Sequence, residues 1–285
     1  MTELLTRDGT RLHYTDSDPA GSPERALVVL HGWSQSAAVF DRAAALLAPD
    51  RRVITLDHRN HGASGRSEGG ARVATLAADL AELLEDLGLS SVHALGHSLG
   101  ASVLWSYVDA HGTGRLASTT LVDQPSVCAI LPWLDATEAA EAGAIVDFAG
   151  AEAFVAAMLT PEAEAARAAF LTSMLSPDLG QADRDWLLEQ NLLLPMPYGA
   201  KLLNDHIMQD WRDVLPRIDV PTLVVGGEVS HVAPASQEWI AAQVPGARLR
   251  IFSREEGGSH FPFFEAPEVF CEELRGFLAE VDGTA

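Results

Sequence analysis

Residues 91–105 read SVHALGHSLGASVLW, and the fold of the chain turns on how this stretch is parsed. Ser91–Leu95 is a short run of β-favouring residues, and Ala101–Ala110 carries apolar residues at helical spacing. Between them Gly96-His97-Ser98-Leu99-Gly100 fits G-x-S-x-G. The motif alone is common; a strand before it and a helix after it give it meaning. So tight a turn forces strained backbone angles on the serine, and the flanking glycines leave room for it. The Ser98 hydroxyl is therefore expected at the carboxyl end of a sheet, over a helix N-terminus that favours developing negative charge. Ser98 is the candidate nucleophile.

Working outward, the same alternation recurs on both sides. Arg11–Thr15, Ala26–Leu30 and Arg52–Leu56 read as strands, and Thr75–Leu87 as a helix stopped by Gly88. After the motif, Leu116–Val122 reads as a strand ending at Asp123. Pro221–Gly226 and Arg248–Phe252 continue the strands, Ala235–Gln243 lies between them as a helix, and Pro267–Val281 closes the chain as an amphipathic helix. Strands alternating with helices predict a mostly parallel α/β sheet flanked by helices. Between Pro125 and Trp211 the pattern changes to Ala/Glu/Leu-rich helical runs broken by Pro161, Pro177 and Pro195. The expected organisation is an α/β core formed by residues 1–124 and 212–285, with residues 125–211 inserted as a helical cap.

Composition narrows the function classes. Apolar residues make up 47 % of the 285 and charged residues 21 %, which is globular. A net charge of −21 disfavours nucleic acid and anionic membranes as partners and is no guide to fold. No apolar run reaches the length of about eighteen residues that a membrane-spanning helix needs. The opening MTELLTRDGTRLHYTD lacks the basic-then-apolar pattern of a secretory signal, so a cytoplasmic location is expected. The two cysteines, Cys128 and Cys271, form no metal-ligand or redox motif and read as unpaired buried thiols; no metal and no cofactor are expected.

With these residues in view, the chain resembles the α/β-hydrolase superfamily over nearly its whole length. His31-Gly32-Trp33 follows the Ala26–Leu30 strand, where that family places its oxyanion loop. Asp57-His58-Arg59-Asn60-His61-Gly62 is similar to its D-x-R-G-x-G loop, with Asn60 for the usual glycine. Gly257-Gly258-Ser259-His260-Phe261 follows the last strand, where the family carries its histidine. The resemblance implies that Ser98 attacks a carbonyl and that His260 takes and returns the proton. It also implies an oxyanion hole made by the backbone N–H groups of Trp33 and Leu99. His31 and His61 read as loop packing, and His97 and His231 as neighbours of the site.

The acid departs from the family pattern. Relatives commonly carry it after the seventh strand, but Gly227-Glu228-Val229-Ser230-His231-Val232-Ala233-Pro234 has Ser230 in that slot. A neutral serine cannot stabilise the imidazolium that forms when His260 is protonated. Asp123 is the favoured acid, and Glu228 is the alternative. Asp123 ends an apolar strand, where burial is costly unless a partner such as a histidine bonds it. Glu228 lies two residues before the vacant slot.

A helical cap implies an enclosed apolar pocket and control of water. Gly32, His97, Trp133, Phe154, Met158 and Phe261 are the candidate substrate-binding residues. Phe148, Phe170 and Trp186 are further aromatic candidates, each of which packing alone would also explain. The expected partner is a small hydrophobic molecule bound by a monomer or homodimer. The favoured activity is hydrolysis of a small hydrophobic carboxylic ester or lactone. Two alternatives remain: a carbon–carbon bond hydrolase, and a cofactor-independent dioxygenase of the kind that pairs HGW and His-Phe-Pro segments with an acid after strand six.

Overall fold

The computed structural model describes residues 2–21 and 24–283; Met1, residues 22–23 and residues 284–285 of the expected core lie outside it. Among the described residues eight strands form one sheet: β1 (Thr2–Leu5), β2 (Arg11–Asp16), β3 (Glu24–Leu30), β4 (Val53–Leu56), β5 (Ser91–His97), β6 (Leu116–Val122), β7 (Thr222–Gly227) and β8 (Arg248–Phe252). Their order is β1-β2-β4-β3-β5-β6-β7-β8. β1 and β2 run antiparallel to their neighbours and every other pairing is parallel. In this α/β-hydrolase fold the register aligns the strand ends that matter, pairing Leu30 with Gly96, His97 with Val122, and Val122 with Val225. The loops after β3, β5, β6, β7 and β8 therefore leave the same edge of the sheet.

Eleven α-helices stand beside it in the described residues: α1 (Asp41–Leu47), α2 (Val73–Asp86), α3 (Leu99–His111), α4 (Ala136–Ala142), α5 (Phe148–Ala157), α6 (Ala163–Met174), α7 (Gln181–Leu192), α8 (Tyr198–Ile207), α9 (Pro234–Gln243), α10 (Pro262–Glu265) and α11 (Pro267–Asp282). The period-two geometry of a strand divides β3 between two cores. Ala26, Val28 and Leu30 pack with Leu76, Leu80 and Leu83 of α2 and Leu104 of α3. Leu27 and Val29 face Phe270, Leu274 and Leu278 of α11. α2 stops as its sequence predicts: Gly88 takes φ +62°, Gly88 N–H bonds Glu85 C=O and Leu89 N–H bonds Leu84 C=O, a Schellman closure.

β1 and α1 carry little sequence signal. β1 buries one side chain, Leu4, and α1 buries Ala43 and Leu47. Helices α4 to α8 all fall between β6 and β7, with no strand among them in the described residues.

The glycines of the motif are fixed by contact. A Cβ at Gly96 would lie 2.4 Å from the Gly100 carbonyl oxygen, and one at Gly100 would lie 2.4 Å from the Leu30 carbonyl oxygen. Both neighbours are backbone and cannot swing aside. Gly100→Ala is expected to destabilise the protein by about 3 kcal/mol through overpacking. A lowered urea midpoint would show this; an unchanged one would mean that α3 can slide off β3.

Candidate functional site

The β5–α3 turn holds Ser98 at φ 52°, ψ −121°, a region sparsely occupied by residues with a side chain. Ser98 N–H bonds the Val122 carbonyl at 2.9 Å, which pins the turn to β6. The side chain is half-buried at the N-terminus of α3. One residue past β6, Asp123 also has positive φ, at 52°, and is fully buried. His260 arrives from the loop after β8, its own N–H bonded to the Met174 carbonyl at 3.1 Å.

His260 Nδ1 lies 2.6 Å from Asp123 Oδ2. A carboxylate only accepts, so Nδ1 carries the proton, and the Nε2 lone pair remains free to receive one. Glu228 lies elsewhere: it is exposed, and its Oε2 accepts the Arg254 N–H at 2.9 Å. Of the two alternative carboxylates, Asp123 therefore meets His260 and Glu228 does not. The Ser230 hydroxyl, in the slot where the acid was sought, donates to Asp123 Oδ2 at 2.5 Å. Sequence reasoning missed this contact; the serine in that slot was the signal.

Leu99 N–H and Trp33 N–H donate to no group of the described protein, as an anion-receiving pair requires. Trp33 is held by its indole N–H, which bonds the Gly199 carbonyl at 2.9 Å. Among the described residues no hydrogen bond joins Ser98 to His260; such bonds often tighten only when substrate is present.

Ser98 and His260 border a cavity of about 340 Å³. Gly32, Trp33, His97, Phe154 and Phe261 border it too. So do Phe170, Met174, Leu203, Ile207 and Val232, which make it predominantly apolar. Two expected members are elsewhere. Trp133 is 63 % exposed, with its indole N–H bonded to Asp210, and Met158 is buried in the core and does not reach the cavity. Phe148 is exposed, and Trp186 stacks on Phe264 with ring centroids 5.5 Å apart. Helical spacing shows which face of a helix is apolar and leaves open what that face meets.

The histidines around the site are kept neutral by burial. Desolvation holds His97 well below the ordinary imidazole value and lowers His231 to about 2 and His206 to about 4. The His231 ring lies 4.5 Å from that of His260, and with Asp123 the two bring three possible ligand atoms within 4.8 Å of one another. Asp123 and His260 already bond each other within that group. Behind the site His31, His58 and His61 form a second buried cluster, with His61 lowered to about 3 by desolvation and by His58. His31 Nδ1 donates to the Gly32 carbonyl at 2.8 Å while its Nε2 accepts the His58 N–H at 3.1 Å, so this packing needs the neutral ring.

A group whose folded pKa is depressed in this sense takes up protons first in the unfolded chain. Its contribution to stability is intact above about pH 6.5 and is lost as pH falls toward the folded value. From pH 7 to pH 5, His61 alone removes about 2 kcal/mol, and His31, His58 and His97 act in the same direction. The melting temperature is expected to fall over that interval, before most carboxylates titrate; a flat profile would overturn this account.

A family model described as alpha/beta hydrolase fold matches residues 25–267. The chain belongs to this family. Its α/β-hydrolase relatives include a non-heme chloroperoxidase, CPO-A1 of Kitasatospora aureofaciens, 30 % identical over 91 % of this chain and 92 % of that one. Also similar is the 2-heptyl-3-hydroxy-4-quinolone dioxygenase AqdC2 of Rhodococcus erythropolis, 26 % identical over 98 % of this chain and 99 % of the relative. Among solved structures, the esterase RhEst1 from Rhodococcus sp. ECU1013 superposes with a TM-score of 0.79 at 26 % identity, covering 98 % of each chain. These relatives are enzymes, and hydrolase chemistry is represented among them. No helix of the described residues is long and apolar enough to cross a membrane.

Proposed function

We propose that this protein is a serine hydrolase that cleaves small hydrophobic carboxylic esters or lactones through an acyl-enzyme. The carrying observation is convergence: a strained serine and a histidine bonded to a buried aspartate open onto one apolar cavity. Ser98 Oγ attacks the substrate carbonyl as His260 Nε2 takes its proton. The developing oxyanion is received by the Trp33 and Leu99 N–H groups. His260 then returns the proton to the leaving oxygen, and water, deprotonated by the same imidazole, releases the acid. In a lactone the leaving oxygen stays tethered, so the same steps open the ring. Helices α4 to α8 are read as a cap that limits water at the acyl-enzyme.

A fluorophosphonate probe tests this reading. Covalent labelling located at Ser98 by peptide mass spectrometry is the expected result. A protein that stays unlabelled while folded is not a serine hydrolase.

The similarity to the quinolone dioxygenase favours a second reading, in which the His260–Asp123 pair deprotonates an aromatic hydroxyl for reaction with dioxygen. Oxygen uptake with a 3-hydroxy-4-quinolone would support it. The absence of both uptake and substrate consumption would remove it.

A further inference from the structure

Asp123 is a fully buried carboxylate with no arginine or lysine beside it in the described residues. Hydrogen-bond donors must therefore compensate its charge. Oδ2 takes two short bonds, from His260 Nδ1 at 2.6 Å and from the Ser230 hydroxyl at 2.5 Å. Oδ1 takes one long bond, from Gly227 N–H at 3.3 Å. Ser230 Oγ in turn accepts the Val232 N–H at 3.1 Å. A hydroxyl has one proton and a carboxylate accepts only, so the chain of donors has a single direction: Val232 N–H to Ser230, Ser230 O–H to Asp123. Each bond polarises the next. The Ser230 loop is tied to the histidine loop as well, since Val229 N–H bonds the Gly258 carbonyl at 2.9 Å.

We propose that Ser230 is a positioning residue for the acid–base pair. It grips the same carboxylate oxygen that His260 uses and so fixes the direction in which Asp123 presents that oxygen. His260 alone would leave the carboxylate free to turn about its own axis, since the Gly227 bond is too long to hold the other oxygen firmly. Ser230 is half-buried and forms no part of the cavity wall, so it acts through Asp123 without touching substrate. One atom, Asp123 Oδ2, separates Ser230 Oγ from His260 Nδ1. A carboxylate at position 230 would reach further along the same line, toward the histidine that Asp123 serves.

This inference rests on the hydrolase reading above, and its test separates the two. Activity is measured on a short-chain p-nitrophenyl ester, with thermal melts as a fold control. Ser230→Ala is expected to lower kcat roughly 10- to 100-fold, the range for loss of one hydrogen bond to a charged group, with KM little changed. Ser230→Thr keeps the hydroxyl and is expected to recover most of that loss. The double variant Asp123→Asn with Ser230→Asp is expected to exceed Asp123→Asn alone by about tenfold or more, on the same principle. Wild-type kcat in Ser230→Ala, or a loss confined to KM, overturns the inference. No gain in the double variant overturns it too, and that measurement decides the matter should Ser230→Ala fail to fold. If Asp123→Asn itself keeps full activity, the hydrolase reading of the pair fails first.

Discussion

Ser98→Ala is expected to lower kcat for ester hydrolysis by about 10⁶-fold, the scale on which a serine triad responds to loss of its nucleophile. A residue of catalysis above water should survive, because the Trp33 and Leu99 N–H groups still receive an oxyanion formed by direct water attack. The fold should survive as well. Alanine adds no atom to a turn whose tight contacts lie at Gly96 and Gly100. It also keeps the φ 52° strain, so the melting temperature is expected to stay close to wild type. The same variant separates the two readings. Hydrolysis depends on the Oγ that becomes acylated. Oxygenation driven by His260 and Asp123 needs the hydroxyl only as a neighbour, so Ser98→Ala would weaken it without abolishing it. Steady-state rates on one ester and one hydroxyquinolone suffice. Retention of ester turnover within tenfold would exclude an acyl-enzyme at Ser98.

Asp123→Asn is expected to lower kcat by about 10⁴-fold, while Glu228→Gln changes it little. The asparagine preserves shape, so the loss is one of charge and proton placement. With an amide in place of Oδ2, His260 no longer has an anion to hold Nδ1–H and to stabilise the imidazolium. The Ser230 hydroxyl, which donates to the carboxylate, meets an amide that can itself donate. Glu228 is exposed and its carboxylate accepts the Arg254 N–H, and among the described residues no hydrogen bond or ion pair joins its side chain to His260. Near-normal turnover in Asp123→Asn, or a comparable loss in Glu228→Gln, would overturn the assignment.

The sheet was largely readable because most of its strands are local apolar runs ended by turn residues. Leu116–Val122 and Arg248–Phe252 end where their sequences predict. β5 runs two residues past Leu95, since its ladder with β6 continues through Gly96 and His97 to the turn itself. β1 has no sequence signal, because an edge strand with one buried side chain shows no alternation. The cavity was the least readable part. Phe154 and Phe170, within α5 and α6, face it with their rings 4.8 Å apart, whereas Trp133, in the turn before α4, and Met158, at the C-cap of α5, do not. A period of 3.6 residues neither locates the end of a helix to the residue nor says what an apolar side chain there will meet.

The sequence by itself determined the strand–turn–helix at Ser98 and the placing of His260 after the last strand. Both follow from short-range rules: glycines where a Cβ would strike backbone, and a loop that must begin where a strand stops. The end of an apolar strand favoured Asp123 as the acid, but only the tertiary structure brings it to His260 and places the Ser230 hydroxyl on the same carboxylate. Asp123 lies 137 residues from His260 and 107 from Ser230 along the chain. Such pairings depend on how β6, β7 and β8 lie side by side, and strand register across a sheet is a property of the packed core that no local run of residues encodes.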